Sequence, residues 1–143
     1  MALISGRFVP YERKTNIVKL FSYENRNPVG VVRNLGYGKE LCFENLTQLF
    51  LCVDYLMNMM DYPPETMMAR SFYQDGEEAA DWIEGQVAPK DAKVIASFKV
   101  DMLFRQNASW QGSLTWLEQE LSAQFRSALE LVFLLDSVLE RCE

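Results

Sequence analysis

The 143-residue chain contains no histidine, three cysteines and a formal charge of −6, with 49% hydrophobic and 13% aromatic residues. That length and apolar content fit one globular domain burying about 68–70% of its unfolded surface, and exclude a disordered chain or a disulfide miniprotein. Without imidazole there is no Ser-His-Asp or Cys-His catalysis, no histidine metal ligand and no histidine pH switch.

Residues 1–10 hold Arg7 and Pro10 and no apolar run of signal-peptide length. Nothing later approaches the ~18–20 apolar residues of a membrane span. Cys42, Cys52 and Cys142 lack C-x-x-C spacing, so neither a zinc site nor a disulfide framework is expected. The expectation is a reduced, cytoplasmic protein with no membrane contact, no metal and no cofactor.

The first strand is expected at 17–23, where Val18 and Leu20 point one way and Ile17, Phe21 and Tyr23 the other. A turn at 24–28 and a second strand at 29–34 make a hairpin. Gly36-Tyr37-Gly38 is a two-glycine turn without the Lys-Ser/Thr of a phosphate-cradling loop. A short strand at 41–43 leads into a helix, whose start is marked by Asn45-x-x-Gln48. Leu46, Leu49, Phe50, Val53, Leu56, Met57 and Met60 form its apolar stripe.

Pro63-Pro64 stops that helix and opens a bridge over about 62–91. Residues 61–91 carry two basic and eight acidic side chains, a negative excess equal to that of the whole chain. A short helix after Asp75 is expected there, with Trp82 and Ile83 inward and Gly85 as terminator.

Beyond the bridge the pattern returns. Phe98, Val100, Met102 and Phe104 alternate with Lys99, Asp101, Leu103 and Arg105, a turn follows at 107–112, and strands are expected at 113–116 and 123–125. Ser127-x-x-Glu130 then forms a capping box before Ala128, Leu131, Val132, Leu135, Val138, Leu139 and Cys142. Shifting the chain by 82 residues lays 16–61 on 98–143 with seven identities, among them Gly30/Gly112, Phe43/Phe125 and Asp54/Asp136.

The expected fold is α+β: one domain over 1–143, a tandem β-β-(β)-α duplication with repeats at about 16–61 and 92–143. Its antiparallel sheet would carry both long helices on one face. The first strand is apolar on both sides, so the outer face of that half needs a cover: the segment holding Leu3, Ile4, Phe8 and Val9, the bridge, or another molecule.

The densest polar-aromatic cluster is 104–112. Its Arg105, Gln106, Asn107, Ser109, Trp110 and Gln111 are candidate binding residues at a hairpin tip, joined by Phe21 and Tyr23 on the outer sheet face. The competing reading is structural: Asn, Ser and Gly build the turn, and Trp110 packs beside Trp116 or under a helix. Asn107-x-Ser109-x-x-Gly112 resembles the second half of the PilZ signature, which implies a cyclic dinucleotide ligand. The R-x-x-x-R element of that family has no counterpart in 77–87, which is acidic. The wider stretch 104–112, with Trp116, Phe125-Arg126-Ser127 and Leu129-Glu130-Leu131, is similar to short uncharacterised proteins of gut Firmicutes, a resemblance that implies no activity.

No acid–base pair stands out among the carboxylates, and scattered Lys/Arg do not make a phosphate-binding surface. The function expected is a non-catalytic binding or regulatory module acting through a protein partner or self-association. The alternatives are a small-molecule or nucleotide sensor at 105–112, and an acidic nucleic-acid-mimicking inhibitor using Glu77, Glu78, Asp81, Glu84 and Asp91.

Overall fold

The computed structural model describes residues 3–4, 7–8, 15–36, 38, 40–60, 91–104 and 109–142. The expected bridge helix and the tip residues Arg105, Gln106 and Asn107 lie outside them. A small ladder pairs β1 (Leu3–Ile4) with β2 (Arg7–Phe8). The main sheet is built from β3 (Thr15–Ser22), β4 (Val29–Asn34), β5 (Glu40–Phe43), β6 (Ala96–Phe104), β7 (Gln111–Trp116) and β8 (Leu121–Phe125). Helix α1 (Leu46–Met60) follows β5, and α2 (Ala128–Leu139) follows β8.

The fold is α+β. The strands lie in the order β5-β4-β3-β6-β7-β8, antiparallel throughout. Val18, Leu20, Val32, Leu41, Phe43, Phe98, Val100, Met102, Leu114 and Phe125 project from one face into a single core. That core also receives Leu49, Val53, Leu56 and Met57 of α1 and Leu131, Leu135 and Leu139 of α2, so both helices cover the same face. Apart from Cys52, which is buried as well, the buried helical positions belong to the apolar stripes, because a 3.6-residue period returns every third or fourth side chain to the sheet.

Both halves follow the 82-residue offset in detail. In the central β3–β6 ladder Ile17 lies opposite Lys99, with Val18 opposite Phe98 and Asn16 opposite Val100. Leu35 donates its amide to the Thr15 carbonyl at 3.2 Å, and Leu117 donates to Ser97 at 2.9 Å. Each outer hairpin has a register shift at the corresponding place, between Leu20 and Ser22 and between Met102 and Phe104. Opposite each shift stands a glycine, where a Cβ on Gly30 would fall onto the Lys19 carbonyl oxygen and one on Gly112 onto that of Asp101.

The helix starts match as well. Asn45 Oδ1 accepts from the Gln48 amide at 2.8 Å, and Ser127 Oγ accepts from the Glu130 amide at 3.2 Å. The return bond reaches one residue beyond the cap expected from the capping-box pattern: Gln48 Oε1 accepts from the Glu44 amide, and Glu130 Oε1 from the Arg126 amide, both at 2.7 Å.

The outer face differs between the halves. Val31 and Cys42 are buried there in the first half, whereas Ser97, Lys99 and Asp101 give the second a polar surface. Among the described residues no helix is long and apolar enough to cross a membrane.

Candidate functional site

The described part of the second hairpin tip is built into the fold. Ser109 Oγ donates to the Arg126 carbonyl at 3.4 Å. Trp110 is half-buried and packs on Phe50 of α1, ring centroids 5.2 Å apart and planes tilted by 59°. Gln111 pairs with Phe104 at the start of β7. Trp110 therefore connects the second hairpin to the first helix, while Ser109 ties it to the residue before the α2 cap.

Tyr23 is not on the outer face. The register shift between Leu20 and Ser22 places Phe21 in a β-bulge and returns Tyr23 to the helix side, whereas unbroken alternation would keep it outward. Its hydroxyl donates to Asp136 Oδ1 of α2 at 2.7 Å. Arg26 Nε donates to the same oxygen at 3.0 Å, and its Nη2 lies 3.9 Å from Glu140. Burial and the bond to Asp136 push the Tyr23 hydroxyl up to about 12. Phe21 is half-buried at the bulge.

Tyr23 and Trp110 thus make reciprocal contacts. The tip of each hairpin reaches the helix of the other half, since the central strands run antiparallel. Both contacts lie on the helix side of the sheet.

The open site lies elsewhere, between α2 and the β7–β8 ladder. A groove of about 320 Å3 runs there over Phe98, Leu114 and Trp116, bordered by Leu121, Ala123, Leu134 and Val138, with Ser137 and Arg141 on its helical rim. Its origin is a difference between equivalent positions. In the first half Leu41 is buried and Tyr55 packs against the core. At the same offset the second half has Ala123 and Ser137, so two bulky side chains are missing from an otherwise repeated frame. The floor differs too: the buried pair Asn16 and Asn34, joined Nδ2 to Oδ1 at 3.2 Å, corresponds to Phe98 and Trp116.

The groove is apolar with few polar atoms. Ser137 Oγ donates back to the Leu134 carbonyl at 2.7 Å. Trp116 Nε1 is buried without a hydrogen-bond partner, and the Arg141 side chain has no ion-pair partner among the described residues. Burial opposes ionisation of Glu118, but bonds from Ser97 outweigh it and hold its carboxyl below the usual range. The nearby Trp116 indole adds the smallest share to that lowering.

Other reactive groups are engaged or quiet. The Cys52 thiol is pushed up to about 12 by burial, and its Sγ donates to the Cys42 carbonyl at 3.7 Å. Cys42 is raised as well, again chiefly by burial. Among the described residues no group of three or more Cys, Asp or Glu is placed to hold a metal ion. A depression of about 240 Å3 on the outer face is lined by Ile17, Lys19, Val31, Arg33, Leu35 and Glu40, with charges of both signs on its rim.

The sequence signal for the groove was the offset itself, read for side-chain size rather than for polarity: Leu41 against Ala123, and Tyr55 against Ser137. No protein-family model matches the chain, and neither a curated protein nor a solved structure is significantly similar to it.

Proposed function

We propose that this chain is a non-catalytic, cytoplasmic binding module that takes the bulky apolar side chains of an extended protein segment into the α2/β8 groove. The observation that carries this reading is the exchange of Leu41 and Tyr55 for Ala123 and Ser137, which opens an apolar groove between α2 and β8. An extended segment suits it because its alternate side chains point to one side and can enter the groove in succession. The segment's chemistry follows from the lining: an aromatic or branched aliphatic anchor over Phe98 and Leu114, an acceptor for Trp116 Nε1, and a carboxylate near Arg141.

The non-catalytic part of the proposal is supported by how the ionisable groups are used. Asp136, Glu130 and Glu118 hold the fold together, and the two core thiols are raised away from the reactive thiolate form. Among the described residues no cysteine is in a disulfide, which suits a reducing compartment. The equal offsets of register, bulge and helix cap support descent of the two halves from one β-β-β-α unit by duplication.

The test uses a phage-displayed random peptide library selected on the wild-type chain and, in parallel, on S137Y/A123L. Peptides with an apolar anchor near an acidic residue should be enriched by the wild type and lost on the filled variant. Failure to enrich any such peptide, or equal retention by both chains, overturns the proposal.

A further inference from the structure

We propose that the groove's natural extension is a second copy of this chain, joined edge to edge through β8 about a twofold axis at Ala123. The inference rests on the protein-binding reading and extends it: the second copy takes the β8 edge and leaves the groove to the segment.

Edge strands of soluble proteins are ordinarily protected by charge, proline or a cover. Among the described residues nothing covers β8, and its Leu121, Ser122, Ala123 and Gln124 are neither charged nor proline; all four are exposed, Leu121 by 62%. The opposite edge, β5, carries a charge within the strand at exposed Glu40, whereas the charges of β8, Glu120 and Arg126, only flank it. The unprotected edge is therefore the one beside the groove.

The ends of β8 are complementary to themselves. An antiparallel twofold pairing about Ala123 sets Leu121 against Phe125, Ser122 against Gln124, and Glu120 against Arg126 of the second copy. Symmetry produces that last contact twice. Glu120 is exposed, and the Arg126 side chain is 85% exposed even with its bond to Glu130. Opposite charges at equal distance from the centre favour this register over a slip by one residue, which would set the groove side of one copy beside the polar face of the other.

The faces agree as well. Ser122 lies opposite Thr115 on the outer face, their hydroxyl oxygens 2.9 Å apart, while Leu121 and Ala123 border the groove. A twofold axis normal to the sheet keeps both α2 helices on one side. The two grooves then meet at Ala123 and form one channel across the pair, with Phe133, 64% exposed and one turn before Ser137, at its shoulder. A second copy thus doubles the length of segment the site can hold.

Size-exclusion chromatography with light scattering on the full chain tests this. At high micromolar concentration the wild type should have twice the 16.6 kDa mass of one chain. S122K/Q124K sets like charges against each other in both cross-strand pairs and should give a single chain with unchanged circular dichroism. S122K/Q124E sets opposite charges there and should restore the pair. Glu120→Arg, in an exposed turn, should raise the dissociation constant at least tenfold and serves where the lysine variant does not fold. A single-chain wild type, a paired S122K/Q124K or a single-chain S122K/Q124E overturns the proposal. A single-chain wild type that still enriches groove-dependent peptides removes self-pairing alone, whereas a pair that enriches none removes the peptide-binding reading alone.

Discussion

Ile17 and Lys99 lie directly opposite each other in the two central strands, and they are also counterparts at the 82-residue offset. Exchanging the halves about this point therefore preserves the central register: Val18 opposite Phe98 becomes Val100 opposite Asn16. A residue required by backbone geometry in one half should be required for the same reason in the other.

Gly30 and Gly112 provide that comparison. A Cβ at either would meet a backbone carbonyl oxygen on the neighbouring strand, which cannot swing aside as a side chain can. Gly30→Ala and Gly112→Ala should each cost about 1–3 kcal/mol, the range of overpacking a filled site. Urea unfolding measures this, and an alanine tolerated at either site without loss would contradict the close approach.

Tyr23 gives a pH dependence of definite sign. Its hydroxyl is raised from 10.0 to about 12, first by burial and then by Asp136, because both favour the protonated form. A group raised in the folded state contributes its full stability below the unfolded value and loses it as pH rises through the folded one. Stability should therefore fall between pH 10 and 12 in the wild type, and fall less over that window in Tyr23→Phe. Below this window Tyr23→Phe should cost about 0.5–3 kcal/mol for the lost bond to a carboxylate. Denaturant midpoints across the alkaline range decide it.

The legible part of this fold is the part governed by period. Alternation from Phe98 marked β6, and the stripe from Leu46 to Met60 marked α1, because each side chain's direction follows from its place in a regular element. Tyr23 was misplaced because one bulge residue breaks that rule, and the bulge depends on the missing Cβ of Gly30 across the ladder rather than on anything local to 17–23. The groove was missed for a different reason. Ala123 and Ser137 are unremarkable by themselves and become informative only against Leu41 and Tyr55, which occupy the same places in a filled half.

Equivalent caps predict equivalent losses. Asn45 and Ser127 each accept from the amide three residues on. Asn45→Ala and Ser127→Ala should each remove about 1 kcal/mol, within the 0.5–2 kcal/mol usual for such caps. Thermal unfolding of the two variants and their combination is the measurement. The losses should add, since the caps belong to different helices with no shared hydrogen-bond partner. A cap variant as stable as the wild type would count against the bond drawn at that helix.

Filling the groove separates binding from folding. Ser137→Tyr and Ala123→Leu restore in the second half the residue types that the first half uses to close its core, over Phe98 and Leu114 instead of Asn16 and Val32. The added side chains would cover apolar surface now bordering the groove, and each buried methylene contributes about 0.8 kcal/mol. Ser137 loses only a bond to a carbonyl within its own helix. The double variant should therefore unfold at a higher temperature than the wild type while losing groove-dependent peptides. Gain of stability with loss of binding is what a site left open at a cost to packing produces. A variant that is less stable and still binds would mean that the groove is neither fillable space nor the binding surface.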